Sequence, residues 1–220
     1  MGKKTRIEEL YQESFRQLLH LATFLFIIPL RWFSYRYAVW FGIISFFWNW
    51  KVMPRYFPDA FRSEEQARRI SPGMLWYSVS VLLLGLCFPL PVLAGAWAVL
   101  SISDSLATLF GKFLGRKSLF WNRAKTWLGF LVYFFSAGIF GWAFFLFTRA
   151  NVEASSSFWF QAESLGKMMA VSPLPLLGIS FLSGLAGALM ESLPFSRIND
   201  NLTSPLVYAL IMTLMVVMLN

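Results

Sequence analysis

The sequence predicts an all-α integral membrane protein, a single polytopic helical bundle of about seven transmembrane helices, with six as the alternative count. Three observations predict this class. Of the 220 residues, 57% are hydrophobic and only 14% are charged, whereas soluble domains average about 45–50% and about 25%. Apolar segments of membrane-spanning length recur along the whole chain. Together they leave only short loops and no room for a separate soluble domain.

The predicted apolar segments have the length that a bilayer requires, roughly 20 residues each. They cover 17–33, 35–50, 72–89, 91–111, 125–147, 167–190 and 203–219. Arg31 and Arg36 interrupt the first two segments, which are therefore the weakest, and Pro89 and Pro91 predict a tight turn between the third and fourth. We expect residues 1–16 to form a cytoplasmic amphipathic N-terminal helix, and 17–220 to form one transmembrane domain.

The distribution of basic residues predicts the orientation of the chain. With seven spans, fifteen of the 19 basic residues fall on one side. They are Lys3, Lys4, Arg6, Arg16, Lys51, Arg55, Arg62, Arg68, Arg69, Lys112, Arg116, Lys117, Arg123, Lys125 and Arg197. The positive-inside rule makes this side cytoplasmic and places the C-terminus outside. The net charge of +8 then reflects orientation and attraction to the anionic phospholipid bilayer, and predicts no nucleic-acid partner.

The segment before the first span is predicted to be a helix over 5–20 that lies at the membrane interface, because its apolar residues recur at helical spacing. Its other face carries Glu13, Arg16, Gln17 and His20. From this segment alone, an ordinary solvated face is the favoured interpretation of these four residues.

Asp104 is the most informative residue, because an ionisable side chain inside an apolar span is costly and marks a functional candidate. It belongs to a predicted polar stripe at helical spacing that runs toward the cytoplasmic end. The stripe consists of Ser101, Asp104, Ser105, Thr108 and Lys112. Hydrogen bonding between helices explains the serines easily and the aspartate poorly.

The stripe leads into a basic, glycine-containing loop. Gly111 and Gly115 would let backbone N–H groups approach an anion closely, and the loop has no acidic residue. Its basic residues are Lys112, Arg116, Lys117, Arg123 and Lys125. Such a loop is suited to phosphate, although it is not a Walker A motif and orientation alone also accounts for its charge.

A second polar cluster follows the sixth span. Glu191 ends that span, and Asn199, Asp200 and Asn201 form a short polar loop. Hard oxygen ligands of this kind suit Mg²⁺ held together with substrate phosphates, although Asn-Asp-Asn is also ordinary turn chemistry. The small residues Ser180, Gly184, Gly187 and Ala188 of the sixth span are predicted to pack closely against other helices.

These groups converge on one side of the predicted membrane. Phosphoryl transfer requires cations that neutralise charge, a carboxylate-held metal and a positioned base, and the inventory matches that reaction class. The single His20 and single Cys87 argue against a Ser-His-Asp hydrolase or a zinc site with several such ligands. The acceptor would be carried by a lipid, because the rest of the chain lies in the bilayer.

The motifs together resemble those of the membrane family of dolichol kinase, phytol kinase and CTP-dependent diacylglycerol kinase. The resemblance runs from about Glu13 to Pro205. It rests on five ordered stretches: Glu13 to His20, Asp104 to Lys117, Lys125 to Gly129, Glu191 to Pro194 and Asn199 to Pro205. One departure is Gln17, where the family usually has Lys after Arg.

The resemblance implies an enzyme that transfers the γ-phosphate of CTP to the hydroxyl of a membrane lipid alcohol, either an isoprenoid (phytol, farnesol or dolichol-like) or diacylglycerol. Residues 17–220 would then be the catalytic domain, with its site facing the cytoplasm, in the cell membrane if the organism is bacterial. We expect catalytic roles for Asp104, Arg16 and Lys112. The other expected roles are nucleotide binding by Gly111, Gly115, Arg116, Lys117, Lys125 and Asn201, metal binding by Asp104, Asp200 and Glu191, and supporting roles for Glu13, His20 and Asn199.

Three functional classes remain open from the sequence. The first is the CTP-dependent lipid kinase with Mg²⁺. The second is a cytidylyltransferase of the phosphatidate type, which would make a CDP-lipid from a similar nucleotide cradle and release pyrophosphate. The third is a transporter or scaffold without catalysis. A transporter would more often show internal repeats or broken helices in both halves, and the sequence shows neither.

Overall fold

A computed structural model describes residues 6–61, 63–151, 170–194 and 199–219. Its α-helices, in chain order, are α1 (Arg6–Ala22), α2 (Tyr35–Phe47), α3 (Met53–Tyr56), α4 (Ser63–Arg68), α5 (Pro72–Cys87), α6 (Leu90–Ala98), α7 (Asp104–Phe113), α8 (Trp127–Arg149), α9 (Pro173–Ser192) and α10 (Asp200–Met218). Within these ranges no strand forms, and an isolated antiparallel bridge joins Ser118 and Thr126. The predicted all-α class is confirmed.

Two pairs of α-helices are joined without a break in helical structure. A π-helical turn over Trp48–Val52 connects α2 to α3, and a second over Val99–Ser103 connects α6 to α7. The chain therefore runs as one helix from Leu90 to Phe113. Short 3₁₀ helices cover Thr23–Arg31, directly after α1, and Pro58–Ala60.

The helix boundaries follow local sequence chemistry. Pro72 and Pro173 occupy the first positions of α5 and α9, where proline costs no helical hydrogen bond. Thr126 caps α8 by accepting a hydrogen bond from the Gly129 amide at 3.2 Å, and Asn199 caps α10 by accepting one from the Asn201 amide at 3.0 Å. The predicted turn at Pro89 is the break between α5 and α6.

In the described part of the chain, four helices are long and apolar enough to cross a membrane. They are Leu90–Phe113, Trp127–Arg149, Pro173–Ser192 and Asp200–Met218, and they correspond to the last four predicted segments. The apolar helix α5 is shorter, at 16 residues. The first two predicted segments fall on the end of α1 with the 3₁₀ helix, and on α2 with its π turn. The count of seven therefore stays a prediction.

Leu90–Phe113 is the central helix of the bundle. Of its apolar stretch 72% is buried inside the protein, against 33% to 39% for the other three long helices. Helix α8 packs on α6, α7 and α9, while α10 packs on α9 and α5, and α2 packs on α5. The outward apolar faces of the other helices, with exposed side chains such as Trp40 and Leu210, are those expected of helices surrounded by lipid.

Close packing through small residues in α9 is confirmed. The hydroxyl of Ser180 donates to the Gly138 carbonyl of α8 at 2.9 Å. The carbonyl of Gly187 accepts from the Ser204 hydroxyl of α10 at 3.0 Å. A Cβ on Gly184 would lie 3.1 Å from the Cβ of Ala137, so the helices approach closely at this point.

Some of the sequence predictions fall outside the described residues. These are the start of the sixth segment at 167–169, the first five residues of the N-terminal segment, and the side assigned to Lys3, Lys4, Arg62, Lys167 and Arg197.

Candidate functional site

A cavity of about 1090 Å³ opens where α7 ends, α8 begins, α9 ends and α10 begins. It brings together most of the side chains that the sequence predicted. Those that line it are Arg16, His20, Asp104, Gly111, Lys112, Gly115, Lys125, Glu191, Asn199, Asp200 and Asn201. Residues from the first 20 positions therefore meet residues near position 200 around one space, as the predicted convergence on one side requires.

The polar face of α1 packs against α7, so the expectation of a solvated face is wrong. Glu13 accepts hydrogen bonds from Arg16 and, at 3.0 Å, from Gln17. The Lys112 ammonium of α7 lies 2.9 Å from the second carboxylate oxygen of Glu13. Gln17 is only 3% exposed. The face is polar because it meets α7 across the edge of the cavity.

The electrostatics of this contact favour an ionised Glu13. Burial alone would raise the pKa of Glu13, but Arg16 and the hydrogen bonds from Lys112 and Gln17 outweigh it. The pKa is lowered from 4.5 to about 2. Two side-chain atoms beside this contact, Arg16 Nε and Gln17 Oε1, are buried without a hydrogen-bond partner in the described structure. Both side chains line the cavity, although these two atoms are buried behind its surface.

Asp104 lies at the junction between the π turn and α7 and faces the cavity. One of its carboxylate oxygens is 3.8 Å from Nδ1 of His20 in α1. π-Helical turns occur frequently at functional sites, and this one is directly followed by Asp104. Asp104 and His20, 84 positions apart in the chain, form a polar pair between two helices.

The predicted polar stripe divides into two parts. Asp104, Thr108 and Lys112 line the cavity. Ser101 and Ser105 are fully buried, and their hydroxyls donate to the carbonyls of Trp97 at 2.9 Å and of Ser101 at 2.7 Å. The serine hydroxyls are therefore hydrogen-bonded within their own helix. The members of the stripe that line the cavity are the aspartate, the threonine and the lysine.

Lys125 joins the second polar cluster to the basic loop. Its ammonium donates to the Glu191 carboxylate and, at 3.1 Å, to the Asp200 carboxylate. Within the described residues, no group of three or more His, Cys, Asp or Glu side chains is arranged to hold a metal ion. Glu191 and Asp200 instead share one lysine as their partner. A cation here would need oxygen ligands from a bound molecule in addition to Asp104, as Mg²⁺ commonly has.

The two amides of the cluster have structural partners as well. The Asn201 side chain donates to the Gly73 carbonyl of α5 at 3.0 Å, and Asn199 caps α10. Both line the cavity. Their hydrogen bonds attach the start of α10 to the start of α5 and so fix the edge of the cavity on which Asp200 lies.

Gly111 and Gly115 are required for close packing of the loop. A Cβ on Gly115 would lie 2.3 Å from the Gly111 carbonyl and 2.5 Å from the Thr126 hydroxyl. The Gly115 amide donates to the Phe110 carbonyl at 3.1 Å, so it is engaged in the end of the helix. The proposed contact of these glycines with phosphate stays a prediction.

The loop between α7 and α8 is ordered by its own hydrogen bonds. The Leu119 amide donates to the Lys125 carbonyl at 2.9 Å, and the Trp127 amide to the Lys117 carbonyl at 3.0 Å. The Asn122 side chain donates to the Ser192 carbonyl at the end of α9, at 3.0 Å. This arrangement holds Lys125 against the cavity. Arg116 and Lys117 are exposed and are not among the residues that line it.

Sequence reasoning missed several residues that line the cavity. They are Asn49, Glu65, Tyr77 and Tyr133. Asn49 donates to the Ser78 hydroxyl at 3.0 Å, and an amide within an apolar segment is a signal that could have identified it. Tyr77 and Tyr133 carry no such signal, because a tyrosine in a span is ordinary and its place on a cavity depends on tertiary packing.

Comparison of the chain with protein-family models, curated proteins and solved structures finds no match. The fold and the cavity define the class of protein. It is a helical protein with several helices suited to a membrane, and acidic and basic side chains from distant parts of the chain meet in a cavity.

Proposed function

We propose that this protein is a CTP-dependent lipid kinase, which transfers the γ-phosphate of CTP to the hydroxyl of an isoprenoid alcohol or of diacylglycerol. One observation carries the proposal. Asp104 shares a single cavity with Arg16, Lys112 and Lys125. Cations beside a carboxylate are groups that position and neutralise a triphosphate in phosphoryl transfer. Glu65, Glu191 and Asp200 line the same cavity, and the last two are the partners of Lys125.

The roles follow from position. Arg16 and Lys112, at the α1–α7 contact, and Lys125, at the start of α8, would neutralise the phosphates. Arg116 and Lys117, exposed on the adjoining loop, would draw the nucleotide toward the cavity by long-range attraction. Asn201 and Asn199 would contact the nucleotide from the α10 side. His20, 3.8 Å from Asp104, would orient that carboxylate.

The proposed reaction is a single displacement. The lipid hydroxyl oxygen forms a bond to the γ-phosphorus, the bond from that phosphorus to the bridging oxygen of the β-phosphate breaks, and CDP leaves. Asp104 accepts the hydroxyl proton or holds Mg²⁺. The metal would neutralise charge on the phosphates when bound, with Asp104 as a protein ligand and the phosphates supplying other oxygens. Glu191 and Asp200 would bind it only by exchanging Lys125, their partner in the structure.

The proposed setting is an integral membrane protein of seven spans, with the N-terminus and the cavity at the cytoplasmic side. The charged side chains of the cavity come from the polar face of α1, from α4, from α7 and from the ends of three long helices. They gather at one end of the bundle. This distribution supports a site supplied by cytoplasmic CTP on one side and by lipid from the bilayer on the other.

The experiment that tests the proposal uses CTP labelled at either the α- or the γ-phosphate. Purified protein in detergent is given Mg²⁺ and a panel of lipid alcohols together with phosphatidate, with and without a chelator. We expect γ-label in the lipid, and loss of transfer with the chelator. The α-label in lipid would establish a cytidylyltransferase instead. If neither label is transferred to any lipid, and ATP and UTP are equally inactive as donors, a protein without catalytic function is favoured.

A further inference from the structure

The cavity extends beyond its charged end into an apolar arm that none of the proposed phosphoryl-transfer roles uses. Two helical stretches form the arm, and the ring contacts Phe26–Phe41 and Phe33–Tyr37 show that they run antiparallel. The first is the end of α1 with the 3₁₀ helix, and the second is α2 with its π turn. Their side chains on the cavity are Leu19, Thr23 and Phe26 from the first stretch and Phe41, Ile44, Ser45 and Trp48 from the second.

The residues that line the cavity are polar at one end of each stretch and apolar at the other, and the polar ends of the two stretches lie side by side. Along α1, Arg16 and His20 precede the apolar Phe26 on the cavity side. On the opposite stretch, Phe41 comes first and the polar Asn49 later. Because the two stretches run antiparallel, the polar residues of each lie at one end of the cavity and the apolar residues at the other. The space has the shape and polarity of an amphiphile.

Two aromatic rings, Phe26 and Phe41, line the apolar end, and a third, Trp97, packs against Phe41. The Phe41 ring lies 4.8 Å, centroid to centroid, from Phe26 on one side and 4.8 Å from Trp97 on the other. Trp97 is fully buried in the central helix. We call this group of rings, Phe26–Phe41–Trp97, the aromatic wall.

The side of the arm is open to the exterior. Four side chains that line it are also exposed: Leu19 by 38%, Phe26 by 46%, Ile44 by 64% and Trp48 by 47%. An enclosed core would bury such apolar side chains. At this position between two helices of a membrane protein, the surroundings that can accept them are lipid.

Tyr77 marks the boundary between the two ends of the cavity. Its hydroxyl donates to the Thr23 hydroxyl at 2.7 Å and accepts from the Trp97 indole at 2.6 Å. Its ring meets the His20 ring edge-on at 4.8 Å. Polar groups on the Asp104 side are thus separated from the arm by a tyrosine whose hydroxyl is already hydrogen-bonded.

We propose that this arm is the subsite for the apolar chain of the acceptor lipid, which reaches it sideways from the bilayer between the 3₁₀ helix and α2. The inference rests on the proposed function for the identity of the lipid. The hydroxyl head lies toward Asp104, and the chain follows the arm to the aromatic wall and leaves past Ile44. Transfer from bilayer to arm gains little hydrophobic free energy, because lipid tails are themselves apolar. Selectivity therefore comes from the fit of the chain against the rings.

The test uses a prenyl alcohol with a diazirine in mid-chain, placed with the full-length protein in lipid nanodiscs. After illumination, the labelled peptides are mapped by mass spectrometry. We expect the label on the two stretches, at Phe26 and between Phe41 and Trp48. Unlabelled prenyl alcohol and diacylglycerol are added as separate competitors. Competition by one or the other supports the subsite and identifies the lipid class, whereas competition by neither overturns it.

A pair of variants on α2 controls for folding. Ser45→Trp adds bulk inside the arm, and Phe47→Trp adds bulk on the exposed outer side of the same helix, away from the cavity. We expect Ser45→Trp to reduce labelling about tenfold and to raise the KM for lipid with the KM for CTP unchanged, and Phe47→Trp to behave as the unaltered protein. Equal behaviour of the two variants would overturn the subsite.

The outcomes separate this inference from the proposed function. Label on the arm without transfer of phosphate from CTP to any alcohol would overturn the kinase and leave the lipid subsite standing. Transfer of the γ-phosphate with label elsewhere on the bundle would overturn the subsite and leave the kinase standing.

Discussion

Lys112 and Glu13 lie 2.9 Å apart, ammonium nitrogen to carboxylate oxygen, and their contact attaches the N-terminal helix to the end of the central helix. Ninety-nine positions of sequence separate them. Arg16 and His20 reach the cavity because α1 is held in this place. An ion pair at its edge therefore contributes to the position of the residues inside it.

The first prediction concerns pH. Because the pKa of Glu13 is lowered from 4.5 to about 2, its contacts stabilise the fold fully above about pH 4.5, and that stabilisation is lost as pH falls toward 2. We expect Glu13→Gln to lower the Tm at neutral pH, and the difference from the unaltered protein to shrink between pH 4.5 and 2. Thermal unfolding in detergent measures it. A difference that does not change with pH would contradict the assignment, and Arg116→Gln, on the exposed loop, is the control.

The second prediction concerns Asp104. Asp104→Asn keeps the shape of the side chain and removes its charge, so transfer of the γ-phosphate should fall by about 10²–10⁴-fold, the range for loss of a positioned base. Insertion and Tm should stay close to those of the unaltered protein. Ser105→Ala, which changes the next residue on the same helix but not the cavity, should retain activity. Full activity in Asp104→Asn would refute the proposed mechanism.

The third prediction concerns the Lys125 bridge. Lys125→Met leaves Glu191 and Asp200 without their common cation, and we expect a loss of about 1–3 kcal/mol of unfolding free energy, since Lys125 and Asp200 are partly exposed. The double variant Lys125→Met/Glu191→Gln should recover part of the loss, because one of the two uncompensated charges is then removed. Denaturant titration of the unaltered protein, Lys125→Met, Glu191→Gln and the double variant gives the coupling energy between the two side chains. If the losses of the two single variants simply add up in the double variant, the bridge contributes nothing.

The fourth prediction concerns the basic loop. Gly115→Ala would place a Cβ 2.3 Å from the Gly111 carbonyl, and overpacking of this kind costs about 1–3 kcal/mol. Gly178→Ala is the matched control, because a Cβ at Gly178 meets nothing within 4 Å. It should be neutral, or stabilising by about 0.5–1 kcal/mol through helix propensity. Equal Tm values for the two variants would show that the loop moves freely to accept the methyl group.

Apolar composition and segment length were sufficient to predict the last four helices. The segment 91–111 corresponds to Leu90–Phe113, and 125–147 to Trp127–Arg149. Both signals are local, so they can be recognised without knowledge of neighbouring helices. Asp104 was likewise identifiable, because a charged residue is conspicuous in an apolar segment whichever helices surround it.

The surroundings of the cavity could not be predicted in the same way. The polar face of α1 has the composition of a solvated surface, and only its packing against Lys112 shows otherwise. Arg116 and Lys117 have the same chemistry as Lys125, and the hydrogen bonds of the loop decide which of them faces the cavity. Tyr77 reaches its place through contacts with Thr23 and Trp97, and no sequence pattern encodes pairings over such separations.

The π turn over Val99–Ser103 sets the angular phase of everything that follows it in the central helix. Such a turn holds one residue more than an α-helical turn, and each residue advances the helix by about 100°. The extra residue is taken up within the turn, so α6 and α7 keep the mutual phase that a shorter, regular helix would have. If the same residues formed a regular α-helix instead, α7 would rotate by about 100° about its own axis, and Asp104 and Lys112 would both turn away from the cavity although no residue had been altered. Deletion of one residue from this five-residue stretch would, in contrast, remove the wide turn and leave both side chains in phase with the cavity. The wide turn and the residue count of the central helix are thus matched to each other.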